Sequence, residues 1–276
     1  VSGADVDSML FEGERRIDAI APADRGLAYG DGLFETMRAF RGELHWWDRH
    51  WARLRGGARV LGIELPTQAI VRDSLCALLD GRDGVCKLLV TRGSGARGYA
   101  PSAGPAFWSL SRHDAPEPRE HVQLRWCSTR LAIQPALAGI KHCNRLEQVL
   151  ARAEWTPGET ADEGLMLDID GAVVSAVAGN VFLLDRDRWL TPAIDRCGVR
   201  GVCRGWAAQQ LDAYETRITP ATLMGADAVF VCNAVRGILE VERLGDRSWT
   251  PHPQVAGLRQ RLAADHPAFA APPEMP

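Results

Sequence analysis

The feature that most limits how this chain can fold is a break near its middle. Ser111–Glu120 carries Pro116 and Pro118 among mixed charges, a composition that interrupts helix and sheet alike and suits an exposed linker. On both sides of it, short alternating stretches of strand length recur between stretches of helical period. The pattern reads as α+β in two domains, 1–115 and 116–276. The first is a small N-terminal α/β domain and the second a larger C-terminal mixed β domain. With 276 residues, 46% of them hydrophobic, the chain can bury two medium cores.

Local patterns place the elements. Phe34–Phe40 alternates apolar and polar, and Arg41-Gly42 turns it into Glu43–Trp47, a hairpin. Asp48 is a good N-cap, and Trp51, Leu54, Ala58 and Leu61 then recur at helical spacing up to Gly62. A second amphipathic helix runs from about Thr67 to Leu79. Val85–Thr91 and Ala106–Leu110 read as strands, separated by the glycine-rich loop Arg92–Tyr99. Beyond the break, Val122–Cys127 is a strand and Arg145–Trp155 a helix. Strands follow at Gly164–Ile169, Ala172–Val174, Val181–Leu184 and Trp189–Thr191, then a helix at Val202–Tyr214. Ala228–Cys232 and Ile238–Val241 are strands, and the last helix spans about Pro253–Ala264. The Pro- and Ala-rich Pro267–Pro276 is expected to fray.

Charge and cysteine usage exclude several classes. A net charge of −3 leaves no electrostatic footprint for nucleic acid or an anionic membrane. No apolar run approaches the roughly 20 residues of a membrane span. Val1–Ser8 is acidic and polar, unlike the start of a secretory signal, and Met9 reads as a natural beginning. Seven cysteines, an odd number without a CxxC pair, fit buried reduced thiols in a cytoplasmic protein, Cys76 among them, with no metal site.

One lysine stands out chemically. Lys141 follows the apolar, irregular Ala136–Ile140 and precedes a helix. Partial desolvation there lowers an amine's pKa and makes it nucleophilic toward an aldehyde. Lys87 and Lys141 are the only lysines in an arginine-rich chain, which points to work that a guanidinium cannot do. A plain surface lysine at a helix start gives the same local sequence.

Several stretches in order carry a resemblance. Asp24-Arg25-Gly26-Leu27-Ala28-Tyr29-Gly30-Asp31-Gly32-Leu33-Phe34-Glu35-Thr36 resembles the opening motif of the class IV (fold type IV) aminotransferase family. Lys141-His142-Cys143-Asn144-Arg145-Leu146-Glu147-Gln148 resembles its Schiff-base segment, in the form used by the aminodeoxychorismate lyase subgroup. Ala161–Leu165, Gly179–Phe182, Gly201–Arg204 and Val231–Ala234 follow in the family's order, so the likeness runs from about residue 10 to 265. It implies a homodimer that uses pyridoxal 5'-phosphate (PLP), with a small-molecule substrate and the second domain anchoring the cofactor. Lys141 would carry the cofactor and act as general base. Arg53 matches the arginine that pairs with the cofactor phosphate. Val202 and Cys203 open a helix whose free N–H groups suit that phosphate, and Asn233 and Ala234 would close the cup. Arg97 resembles a substrate-carboxylate arginine, or is a plain loop arginine. Tyr29 faces substrate or packs within its loop, and Arg145 is grouped with the substrate contacts.

Two positions bear on the reaction. Thr36 stands where branched-chain aminotransferases usually have glycine, and a threonine there resembles the lyase subgroup, with its hydroxyl assisting proton transfer. A strand threonine of good β-propensity is the plainer account. Ser175 falls where the family has a carboxylate paired with the cofactor's ring nitrogen. Without that charge the ring is a weaker electron sink, which suits elimination of pyruvate better than transamination. The resemblance therefore implies a lyase converting 4-amino-4-deoxychorismate to 4-aminobenzoate and pyruvate, on the route to folate. A D-amino-acid or branched-chain aminotransferase, or a diverged PLP-fold protein with altered activity, stands as the alternative.

Overall fold

The structure is a computed structural model that describes residues 7–101 and 103–270. It divides into two compact units. One comprises the chain up to Pro116 together with Ile140–Asn144; the other is Glu117–Gly139 with the chain from Arg145 onward. Ile140–Asn144, the stretch that holds Lys141, thus groups with the first unit although the chain on either side of it belongs to the second.

The first unit is built on six strands: β1 (Ser8–Glu12), β2 (Arg15–Ile17), β3 (Gly32–Phe40), β4 (Glu43–Leu44), β5 (Gly84–Thr91) and β6 (Phe107–His113). Their order is β2-β1-β6-β5-β3-β4, antiparallel throughout. Three helices complete it: α1 (Arg25–Tyr29), α2 (Trp47–Leu61) and α3 (Gln68–Leu79). The period-2 pattern of β3 is realised as read. Leu33, Glu35, Met37 and Ala39 are buried on one face, while Phe34, Thr36, Arg38 and Phe40 are half-buried on the other. Helix α2 covers the first face with Trp47, Trp51, Leu54 and Ala58. The tryptophans belong to this core, Trp47 stacking on Trp51 at 5.6 Å.

Several boundaries differ from expectation, each for a local reason. The N-cap of α2 is Trp46, held in the left-handed region at φ 58°, and Asp48 lies in the first turn. There its charge still favours the helix dipole without capping. Cys76 is exposed, because the buried stripe of α3 runs through Val71, Leu75, Leu78 and Leu79 and passes it by. Ser111–His113 prolongs β6 opposite Lys87, Cys86 and Val85, so the irregular link begins only after them. Strands β1 and β2 and the short α1 were not anticipated. Ser8 pairs with Ser111 in the sheet, whereas 1–6 lie outside the described residues.

The second unit carries nine strands: β7 (His121–Leu131), β8 (Glu163–Asp168), β9 (Val173–Ala176), β10 (Asn180–Asp185), β11 (Arg188–Pro192), β12 (Tyr214–Thr216), β13 (Ala228–Asn233), β14 (Gly237–Leu244) and β15 (Arg247–Ser248). They form a mixed sheet, β12-β11-β10-β13-β14-β7-β8-β9, with β15 on β14. Its helices are α4 (Leu146–Arg152), α5 (Val202–Leu211), α6 (Pro220–Met224) and α7 (Pro253–Asp265). Near-continuous apolar runs on β10 and β13 are buried on both faces, as central strands of a covered sheet should be. Phe182 and Phe230 stack at 4.7 Å, and Trp189 tilts against Phe230 at 5.2 Å. Helix α5 stops at Leu211, three residues short of the expected end, where Asp212 turns left-handed at φ 48°. Pro267–Phe269 forms a 3-10 turn with Ala268 buried instead of fraying, and 271–276 lie outside the described residues.

Phe230→Ala should lower the unfolding free energy by about 3–5 kcal/mol, read from urea denaturation; a loss under about 1 kcal/mol would show that this ring pair is not a centre of the core.

Candidate active site

The amine of Lys141 is placed by backbone pairing. Phe34 N–H donates to Lys141 O at 3.0 Å, and Cys143 N–H donates to Gly32 O at 2.9 Å. Leu33 and His142 form the antiparallel bridge between these bonds. The segment thus occupies the edge of β3 beyond the part that β4 covers at Ala39 and Phe40. Gly139, at φ 86°, supplies the turn that precedes it.

Lys141 Nζ stands 4.2 Å from the centroid of the Phe34 ring, and Lys87 Nζ stands 5.3 Å from the same ring. Lys87 lies directly across from Thr36 in the β3–β5 register. Phe34, Thr36, Lys87 and Lys141 are thereby gathered on one side of the sheet. Sequence reasoning did not assign Lys87 a place here. Its signal in the sequence was rarity, since Lys87 and Lys141 are the only two lysines.

On the other side of β3 lies a buried ionic group. Glu35 accepts from Arg53 through Nε at 2.8 Å and Nη2 at 2.5 Å, and its Oε2 lies 2.6 Å from His50 Nδ1. Burial would raise the Glu35 pKa, but the charge and hydrogen bonds of Arg53, with the bond to His50, reverse that and bring it to about 2. Burial pushes the His50 pKa below its ordinary value, against the pull of Glu35. An ionised Glu35 requires a proton on His50 Nδ1, so the neutral ring keeps a bare Nε2. That buried nitrogen makes no hydrogen bond among the described residues. Arg53, expected to serve a phosphate, is thus held bidentately by Glu35, a partner that sequence reasoning did not assign.

Tyr29 and Arg97 belong to the 23–31 and 92–99 segments of the same unit. The Tyr29 hydroxyl accepts from Gly98 N–H at 3.2 Å, and Arg97 is exposed.

The second unit carries the remaining candidates. Gly201 is the N-cap of α5 and brings no side-chain cap, so the first amides of a ten-residue helix have no side-chain acceptor. Asn180 Nδ2 donates to Val199 O at 2.9 Å, and a Cβ on Gly201 would fall 2.1 Å from Asn180 Oδ1. Only glycine fits that cradle. Val202 and Cys203 form its first turn, and the Cys203 thiol hydrogen-bonds Cys232, which raises its pKa. Asn233 closes a tight turn, its Oδ1 accepting from Val235 and Arg236 N–H at 2.9 and 2.8 Å, with Ala234 between. Ser175 is buried on β9, paired with Met166. Arg145 is the half-buried residue preceding α4.

Residues 32–244 match the profile of the class IV amino-transferases. The chain belongs to the class IV aminotransferase family. Aminodeoxychorismate lyase of Vibrio harveyi is 36% identical over 79% of this chain and 84% of that protein. The crystal structure of 4-amino-4-deoxychorismate lyase from Pseudomonas aeruginosa superposes with a TM-score of 0.87 at 41% identity, covering 93% of this chain and 99% of the other. D-alanine aminotransferase of Bacillus licheniformis is 28% identical, over 84% of this chain and 87% of that protein. As a class IV aminotransferase family member the chain uses PLP, and its residues fit that group. The uncapped N-terminus of α5 and its glycine cradle suit a phosphate, and Lys141 offers an amine on an aromatic face. Among the described residues, no cluster of three His, Cys, Asp or Glu side chains could hold a metal ion.

The depressed pKa of Glu35 links stability to pH. Its contribution is complete above the ordinary carboxylate value of 4.5 and is lost as pH falls through about 2. Glu35→Gln should therefore flatten the acid limb of the urea midpoint between those values, where the native protein loses on the order of 3 kcal/mol. An unchanged acid limb would contradict the ionised, paired state of Glu35.

Proposed function

We propose that this chain is a PLP-dependent lyase that converts 4-amino-4-deoxychorismate to 4-aminobenzoate and pyruvate. The observation that carries the reading is the 41% identity to the Pseudomonas aeruginosa lyase over 93% of the chain, against 28% to the aminotransferase of Bacillus licheniformis. The cofactor would be anchored by Lys141 until the substrate amine takes that place; it would then draw electrons from the substrate carbon that bears the amino group and leave the lysine amine free as a base.

The chain's own residues then have separable tasks. Lys141 Nζ takes the proton from that carbon, and the neighbouring Phe34 ring, half-buried, keeps water from one side of the amine. Thr36, on the same sheet face, offers a hydroxyl to pass a proton to the departing enolpyruvyl oxygen. Arg53 in the first unit, and in the second the α5 amides of Val202 and Cys203 with Asn233 and Ala234, would each be assigned to the cofactor phosphate. Glu35 orients Arg53 through two parallel bonds. Ser175 can hydrogen-bond the ring nitrogen but brings no negative charge. That weakens the prolonged carbanion stabilisation that transamination needs and leaves elimination, driven by aromatisation, as the favoured outcome. Arg97, Tyr29 and Arg145 are assigned to substrate. The protein is assigned as a cytoplasmic homodimer on the folate route; no described helix is long and apolar enough to cross a membrane.

Supplied with aminodeoxychorismate, the protein should release pyruvate, detected through lactate dehydrogenase. Lys141→Ala should abolish that release, and Thr36→Val should slow it about 10²-fold or more. Amino-group transfer to 2-oxoglutarate without pyruvate release would replace the lyase by an aminotransferase.

A further inference from the structure

Arg25 is 4% exposed, an unusual place for a guanidinium on a five-residue helix. Each of its three nitrogens donates a hydrogen bond. Nε donates to Asp31 Oδ2 at 2.9 Å, Nη1 to Gly98 O at 2.9 Å and Nη2 to Tyr99 O at 3.3 Å. The guanidinium carbon lies 4.8 Å from the centroid of the Tyr29 ring, a cation–π contact. The hydroxyl of that same ring accepts from Gly98 N–H.

The far end of the loop is held in a matching way. Arg92 Nε and Nη2 donate to Asp31 at 2.8 and 3.1 Å, and Arg92 Nη1 and Nη2 reach Gly62 O and Leu61 O at 2.7 and 2.6 Å. Asp31 therefore anchors one guanidinium from each end of the structure around loop 92–99. Backbone bonds fill the interval: Arg25 N–H to Gly93 O at 2.9 Å and Gly95 N–H to Ala23 O at 3.2 Å. Arg97 projects, exposed, from a loop tied down before and after it.

We propose that Arg25 is a positioning residue for substrate-carboxylate recognition: it clamps Gly98 and Tyr99 so that Arg97 meets the substrate in one geometry. This rests on the assignment of Arg97 to substrate made above. The clamp needs a flat fork of donors that reaches one carboxylate and two successive carbonyls while stacking on an aromatic ring. An ammonium, a point charge with tetrahedral donors, cannot reproduce it.

The test compares Arg25→Lys, Tyr29→Phe, Arg97→Ala and the Arg25→Lys/Arg97→Ala double variant. Amide hydrogen exchange of Gly95 and Gly98 needs no substrate. It should quicken about tenfold in Arg25→Lys, the loss expected for one charged hydrogen bond; in Tyr29→Phe, Gly98 loses its own acceptor, so there Gly95 reports on the clamp. The KM for aminodeoxychorismate should rise about tenfold in Arg25→Lys with kcat little changed. The same substitution should add little once Arg97 is gone, the non-additivity of residues acting through one contact. Unchanged exchange in both single variants, or KM effects that multiply in the double variant, would overturn the proposal. If Arg25→Lys does not fold, Tyr29→Phe exchange at Gly95 decides alone, since that amide bonds Ala23 O: unaltered Gly95 protection overturns the clamp. If the native protein releases no pyruvate, the lyase reading fails while the exchange measurements still decide whether the clamp exists.

Discussion

Two backbone hydrogen bonds, from Phe34 to Lys141 and from Cys143 to Gly32, hold Lys141 against β3 beside the Phe34 ring. They recruit five residues out of the second unit's stretch of chain and lay them on an open edge of β3. An unpaired strand edge is a liability in a soluble protein. Here β4 covers its far end and the lysine segment its near end, so the pairing that shortens the open edge also sets the lysine's position. Register does the rest. Because side chains alternate along a strand, Lys141 falls on the Phe34 side and not the Glu35 side.

The two faces of β3 then carry different chemistry. One presents a phenyl ring, a hydroxyl and two amines. The other buries a carboxylate with an arginine and a neutral histidine. A buried carboxylate is costly unless its lone pairs are satisfied, and Glu35 meets that condition with three bonds, two of them to the half-buried Arg53. Its worth lies in specification: it fixes the plane of Arg53 and the tautomer of His50 together.

Much of this was legible in the residues. The alternation of Phe34–Phe40, the helical spacing from Trp51 to Leu61 and the apolar runs of β10 and β13 each encode their own burial, so periodicity found them. The ordered motifs identified the family, and the scarcity of lysine singled out Lys141. What stayed hidden depends on long-range pairing. Strands β1 and β2 are short and polar-flanked, and β1 is completed by Phe107–Ser111, about a hundred residues away. The left-handed cap at Trp46 breaks the preference for glycine or a polar cap. The bond from Arg53 to Glu35 joins a helix to a strand, and no spacing rule connects them.

The near absence of lysine has a consequence for chemical selectivity. Thirty of the 32 basic side chains are arginine, whose guanidinium stays protonated and non-nucleophilic at neutral pH. Any aldehyde that meets this protein, whether a cofactor or a reactive metabolite, finds only two side-chain amines, both set against one phenylalanine ring. Lys87, which is exposed, is the one side-chain amine that competes with Lys141. Imine formation with a side-chain amine is therefore confined to the same few ångströms of the fold.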